Sequence, residues 1–208
     1  MRMDYAMDLI KKRRSIRKYS ARKVESNILR EVLEAARWAP SAHNAQPWRF
    51  IVLIDKALKQ DFAEAMANVW TADMIKDGTP MQVREETRRA SVKRFTRAPV
   101  LVVACLTIND MIKYADESRQ KCERDLAVQS LGAAVQNMLL VAHAKGLGAC
   151  WFCAPIFCKD TVRKVLKVPE DVEPQALITL GYPAEKPSAP SRKPFQSYSY
   201  LDCWGKKL

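Results

Sequence analysis

The chain has 208 residues and a mass of 23.7 kDa, with 48% hydrophobic residues, 6 Gly and 11 Pro. That fits one folded domain over residues 1–208 and excludes disordered, fibrous and low-complexity classes. Thirty-five Lys and Arg against 23 Asp and Glu leave a net charge of +12, so nucleic acid, a membrane surface and a phosphate-bearing ligand all enter as partners. Two histidines, His43 and His143, and the lack of HExxH, GxSxG and GxxxxGK(S/T) patterns exclude histidine-rich metal cages, zincins, serine hydrolases and P-loop NTPases.

The first twelve residues carry Asp4, Asp8 and two lysines among apolar positions. They lack the apolar core of a secretory signal and read as a short helix over residues 4–12, which implies a cytoplasmic protein. Residues 11–30 then hold nine Lys or Arg against one Glu, a local excess of +8. Within them Arg13, Arg14, Ser15 and Arg17 bring three guanidiniums and a hydroxyl into five positions, donors suited to a phosphate monoester. The same run also reads as a solvated basic turn. A helix follows over residues 28–37, capped by Ser26 or Asn27, with Ile28, Leu29, Val32, Leu33 and Ala36 as its buried stripe.

Residues 40–47 lie between Pro40 and Pro47 and cannot be regular helix. Ser41, Asn44 and Gln46 offer donors and acceptors of the kind that read the pyrimidine edge of a flavin or a base, or that cap their own loop. His43 reads as a general base or as an ordinary loop histidine. Next come a strand over 48–54, a helix over 57–70 and a charged helix over 80–97 with a solvated face, where residues 84–97 add +4. The wholly apolar run over 99–107 predicts a strand buried on both faces and central in its sheet. Residues 98–106 form the longest apolar stretch, about half of the ~20 residues that a membrane span needs.

Apolar residues on nearly all sides over 124–145 predict a long core helix stopped at Gly146. A strand over 149–152, a helix over 160–166 and a strand over 175–181 complete the set, and four prolines then draw out an extended tail over 183–208. The class is α+β, a mixed sheet flanked by helices, without an internal repeat. Six cysteines without a signal read as reduced thiols. Cys150, Cys153 and Cys158 have a C-x2-C-x4-C spacing. Alternation along a strand turns Cys150 away from Cys153, so buried free thiols are favoured over a metal or iron–sulfur site.

The segments R-R-S-I-R-K-Y, A-P-S-x-x-N-x-Q-P-W-R-F, A-A-V-Q-N-M-L-L-V-A-H-A-K-G-L-G and L-G-Y-P, in this order over nearly the whole chain, resemble the nitroreductase-like FMN flavoproteins. The resemblance implies an α+β sandwich forming an intertwined homodimer, with FMN between the subunits and the 183–208 tail packed on the partner. It places Arg13, Ser15 and Arg192 on the FMN phosphate with Arg14 contributing, and Arg17 toward the pyrimidine end. Pro40, Ser41, Asn44 and Gln46 would come from the other subunit, and the backbone of Cys153 and Ala154 would lie near flavin N5 and O4.

The activity so implied is ping-pong hydride transfer from NADH or NADPH, through flavin N5, to a nitroaromatic, quinone or similar acceptor. It needs no catalytic side chain and no metal. Two alternatives stay open: a family enzyme with a specialised reaction, and a non-catalytic basic nucleic-acid-binding module. The latter is disfavoured because aromatics are not interleaved with the basic runs. The thiols around residue 150 leave room for a redox-sensing role, and the basic segment 84–97 calls for an anionic substrate.

Overall fold

The computed structural model describes residues 3–208. Met1 and Arg2, which begin the segment read as lacking a secretory core and the domain assigned to residues 1–208, lie outside the described residues. The elements are α1 (Met3–Lys12), α2 (Ser26–Arg37), β1 (Trp48–Leu53), α3 (Lys56–Lys76), α4 (Met81–Arg97), β2 (Val100–Thr107), α5 (Glu117–Ala144), β3 (Gly148–Phe152), α6 (Lys159–Leu166) and β4 (Val172–Gly181). Each corresponds to an expected element, and the differences lie at the ends.

Helix α5 starts at Glu117 instead of near Arg124, because the Asp116 carboxylate caps it by accepting the Arg119 N–H at 2.9 Å. Helix α3 runs on to Lys76 because its inner face continues through Met66 to Met74, both buried. Glu25, not Ser26 or Asn27, occupies the N-cap of α2 and makes no side-chain cap. Its carboxylate is taken by Arg22 at 2.7 Å and by the Tyr182 hydroxyl at 2.6 Å.

The sheet has the order β1-β2-β4-β3, with β2 inside it as expected. All three pairings are antiparallel, which corrects the expectation of a mixed sheet. Between β1 and β2 the chain passes through both α3 and α4, which pack together as a hairpin and return it running the opposite way. The one parallel contact is an isolated bridge from Ser15 to Ala149.

Strand alternation sorts the core into two layers. Val100, Val102, Ala104 and Leu106 of β2 face α2 and α5, where Val32, Ala36, Leu131, Val135 and Met138 are buried. Leu101, Val103 and Cys105 face α3, α4 and α6, meeting Phe62, Met66, Phe95 and Val162. Helix α5 is long and apolar enough by composition to cross a membrane, yet here it packs as the core helix against the sheet and α2. It ends where Gly146 adopts φ 76 and the Leu147 N–H reaches back to the Ala142 carbonyl at 2.8 Å, a left-handed stop suited to glycine.

One ion cluster ties the helices to β4. Glu173 accepts from Arg124 of α5 at 2.5 and 3.1 Å, from Gln175 at 2.8 Å and from Lys159 of α6. Burial pushes its carboxyl up, but the hydrogen bonds from Arg124 and Lys159 outweigh burial and hold it at about 2. A folded-state pKa below the ordinary 4.5 means that this stabilisation is complete above pH 4.5 and is lost as pH falls toward 2. The urea midpoint is therefore expected to drop across that window, and more shallowly in Glu173→Gln. Equal slopes in the two proteins would contradict it.

Candidate active site

After α1 the chain crosses the open edge of β3. The Ile16 N–H donates to the Ala149 carbonyl at 2.9 Å, and Ser15 bridges the same residue. The Tyr19 hydroxyl donates to the Ile16 carbonyl at 2.5 Å and lies 2.6 Å from the Thr179 hydroxyl of β4. Further on, the N–H groups of Arg17 and Lys18 donate to Glu185 at 2.6 and 3.1 Å. The basic run is thus fixed on the sheet edge and is not a free turn.

Three of its members act on the Cys150 thiol of β3. Burial raises that thiol's pKa, and Arg17, the Ser15 hydroxyl, Arg94 of α4 and Arg13 oppose the rise. Arg13 and Arg14 also lie close enough to His143, at the end of α5, to add to the lowering of its pKa by burial. Arg14 itself is turned to the end of α1, donating to the carbonyls of Lys11 and Arg13 at 2.5 and 2.8 Å. Arg13 is different: its Nε is buried without a hydrogen-bond partner among the described residues, and an orphaned buried donor costs about 1–3 kcal/mol. Neither Arg13 nor Arg17 forms an ion pair among the described residues. An unpaired, partly buried guanidinium beside a serine hydroxyl fits a phosphate dianion.

At the end of β3 opens a cleft of about 460 Å³. Its walls come from Met66, Val69 and Trp70 of α3, from Ser91, Arg94 and Phe95 of α4, and from Phe152 at the end of β3. Phe95 and Phe152 meet edge to face with centroids 5.3 Å apart. Cys153 and Ala154, which follow β3, line the same cleft, as do Phe157 and Cys158. Aromatic walls around a cleft of this volume suit a flat ring.

The remaining expected residues lie elsewhere in the chain. Residues 41–46 pack against the middle of α5: the Ala42 N–H donates to the Ser130 hydroxyl at 3.2 Å, and His43 Nε2 lies 3.3 Å from the buried Glu123. Ser41 accepts the Gln46 N–H at 3.1 Å. His43, Asn44 and Gln46 have φ of 56, 53 and 48, three left-handed non-glycine residues in four positions, a strain of the kind that accumulates at binding loops. Pro40, Asn44 and Gln46 are exposed and Ser41 is half-buried.

This loop precedes β1, at the opposite edge of the sheet from β3, and Ser130 lies thirteen residues before His143 on α5, roughly 20 Å at 1.5 Å per residue. Within one chain the two groups do not share a site. Arg192 lies in an exposed stretch of the tail and makes no ion pair among the described residues.

The thiols divide by exposure. Cys153 is exposed, while Cys105, Cys150 and Cys158 are buried, and burial pushes Cys105 to about 12 and Cys158 to about 11. Buried thiols so far from ionising are packing groups. Half of the cations of the basic segment 84–97 are engaged: Arg88 pairs with Glu64 and lies 3.2 Å from Asn68, Arg84 donates to the Thr79 carbonyl at 3.1 Å, and Arg89 donates to the Glu85 carbonyl at 3.3 Å. Ser91 and Phe95 went unread as site residues because the charges around them mark a solvated helix. The signal was the small and apolar set Ser91, Val92 and Phe95, which recurs at helical spacing and forms the inward face.

A sequence model of the nitroreductase family matches residues 10–182. A relative from Methanothermobacter thermautotrophicus, provisionally named NADH dehydrogenase/NAD(P)H nitroreductase, is 34% identical over 183 residues, covering 87% of this chain and 78% of its own. Among solved structures, a BluB-like flavoprotein from Clostridium difficile 630 is 27% identical with a TM-score of 0.79, over 94% of this chain and 98% of its own. A protein from Desulfovibrio desulfuricans, provisionally named a nitroreductase and solved in complex with FMN, is 29% identical with a TM-score of 0.70, over 96% and 98%. Motif order, layered fold and these likenesses agree, and the chain is an oxidoreductase belonging to the nitroreductase family.

Proposed function

We propose that this chain is an FMN-dependent NAD(P)H oxidoreductase that passes reducing equivalents to a flat organic acceptor, a nitroaromatic or a quinone, one substrate after the other at a single site. The observation that carries the reading is that one strand, β3, holds the Arg13 to Arg17 segment at Ala149 and ends at Phe152 in an aromatic cleft, with Arg13 Nε buried and unpartnered among the described residues. Bound FMN supplies a centre that accepts a hydride from the nicotinamide and releases reducing equivalents to the acceptor.

The chain's own residues bind and orient. Arg13 and Ser15 hold the phosphate, and Arg14 supports Arg13 from the end of α1. Arg17 brings positive charge toward the pyrimidine end, where reduction places negative charge. Cys153 and Ala154 present backbone to the ring at the cleft floor, and Phe95 and Phe152 keep water from its inner side. No side chain is asked to move a proton at the reacting centre.

The separation of the 40–47 loop from this edge supports a homodimer in which Pro40, Ser41, Asn44 and Gln46 serve the site of the other subunit, and the exposed tail carries Arg192 to a phosphate across the same interface. The whole chain then acts as one FMN-binding domain, working in the cytosol. The test is direct. Purified protein is expected to be yellow, to release FMN on denaturation, and to lose its flavin colour on anaerobic mixing with NADH or NADPH in stopped flow. A colourless protein that stays colourless on FMN addition, or a bound flavin that neither nicotinamide reduces, would refute the assignment.

A further inference from the structure

Among the described residues, two hydrogen-bond donors in the cleft, Ser91 and Arg94, have no partner, as does one carboxylate, Asp77. Ser91 is 5% exposed, lines the cleft, and its hydroxyl makes no hydrogen bond among the described residues. In the same helix Thr96 does bond back, to the Val92 carbonyl at 2.9 Å, so a free hydroxyl is not the default for α4. Arg94 lies one turn beyond Ser91 on the same face. It is half-buried and makes no ion pair or hydrogen bond among the described residues. Its guanidinium carbon stands 5.7 Å from the centre of the Phe152 ring. Its neighbours Arg88 and Arg84 are satisfied by protein groups.

Two acids of α3 and the turn after it, Asp73 and Asp77, also line the cleft; Asp73 is tied to Lys76 at 2.9 Å and neither pairs with Arg94. The cleft is therefore dipolar: a guanidinium and a hydroxyl from α4, apolar walls at Trp70, Phe95 and Phe152, and carboxylates from the α3 end.

We propose that the acceptor is a flat aromatic or quinoid compound carrying one carboxylate, which Arg94 and Ser91 bind. The inference rests on reading the cleft as the acceptor site. A guanidinium offers only donors and a hydroxyl can add one more, and a carboxylate accepts from both at once with a charge assistance that a neutral carbonyl lacks. The two aspartates repel a second anionic group at the far end, which restricts the ligand to a single acid function.

The test compares kcat/KM for 4-nitrobenzoate and 4-nitrobenzamide in the wild type, Arg94→Gln and Ser91→Ala, using the same nicotinamide donor. The intrinsic reactivities of the two nitro groups cancel when the acid-to-amide ratio is compared between proteins. That ratio is expected to fall at least about tenfold in Arg94→Gln and about threefold in Ser91→Ala, with the amide value changed less than about twofold. A ratio unchanged in both variants overturns the proposal. Where Arg94→Gln does not fold, Ser91→Ala decides.

A binding titration of the wild-type holoenzyme is independent of turnover. Benzoate is expected to perturb the flavin absorbance at a concentration at least about tenfold lower than benzamide, and equal affinities overturn the proposal. Failure of both NADH and NADPH to reduce the flavin would instead sink the oxidoreductase reading, whereas normal reduction with an unchanged ratio sinks only the acid selectivity.

Discussion

Replacing both Arg13 and Arg192 with alanine is expected to leave a folded protein that does not hold FMN. Each charge-assisted bond from a guanidinium to a phosphate is worth about 1.5–3 kcal/mol, so losing two weakens binding by roughly 150- to 20,000-fold. Arg13 is the more telling of the pair. Its Nε is already buried without a partner, so the chain bears a desolvation cost that only an external anion repays. Arg13→Ala alone is therefore expected to bind flavin weakly while the apo-protein is as stable as wild type or more so, the reverse of what removing a structural arginine does. Arg13→Lys keeps the charge but not the fork, and should recover binding in part. The flavin-to-protein absorbance ratio after gel filtration, with circular dichroism to confirm folding, reads the result. Stoichiometric flavin retained by the double variant would end the assignment of both residues.

Gly148→Ala is expected to damage fold and site together. A Cβ on Gly148 would lie 2.7 Å from both Cβ and Cγ2 of Ile16, and Ile16 is 7% exposed. Because Ile16 Cβ is fixed to the backbone, no rotamer change relieves the contact, and the 15–17 segment itself must move off β3. Overpacking of this kind costs about 1–3 kcal/mol, or roughly 2–12 °C in Tm for a chain of this size. The shift also breaks the bond from Ile16 to the Ala149 carbonyl and carries Ser15, Arg13 and Arg17 out of register, so flavin affinity falls in the same variant. Adding Ile16→Ala, which retains the offending Cβ, is not expected to restore either property. Thermal melts of the apo-proteins and FMN titrations measure the two effects separately, and a Gly148→Ala protein with wild-type Tm would show that β3 tolerates the added carbon.

Much of the molecule was legible in the chain because its signals are local. The apolar run of β2 predicts an inside strand, and β2 is buried along its whole length. Gly146 predicts a helix stop and takes φ 76 there. The order of the four motif segments pointed to the nitroreductase family, whose sequence model matches residues 10–182. Sheet direction was not legible, since it depends on whether one helix or a helical pair separates two strands, and α3 and α4 read separately give no sign that they pack as a hairpin.

Composition by itself determined a folded basic α+β chain and located its positive charge. It could not tell paired cations from free ones, because pairing is made by residues distant in sequence: Arg88 of α4 meets Glu64 of α3, and Arg124 and Lys159 meet Glu173 on β4. Only the tertiary structure left Arg13, Arg17 and Arg94 without carboxylate partners among the described residues, each with an electrostatic influence on Cys150 of β3. A cation whose own fold offers it no counter-charge is available to a ligand, a distinction that a net charge of +12 cannot make.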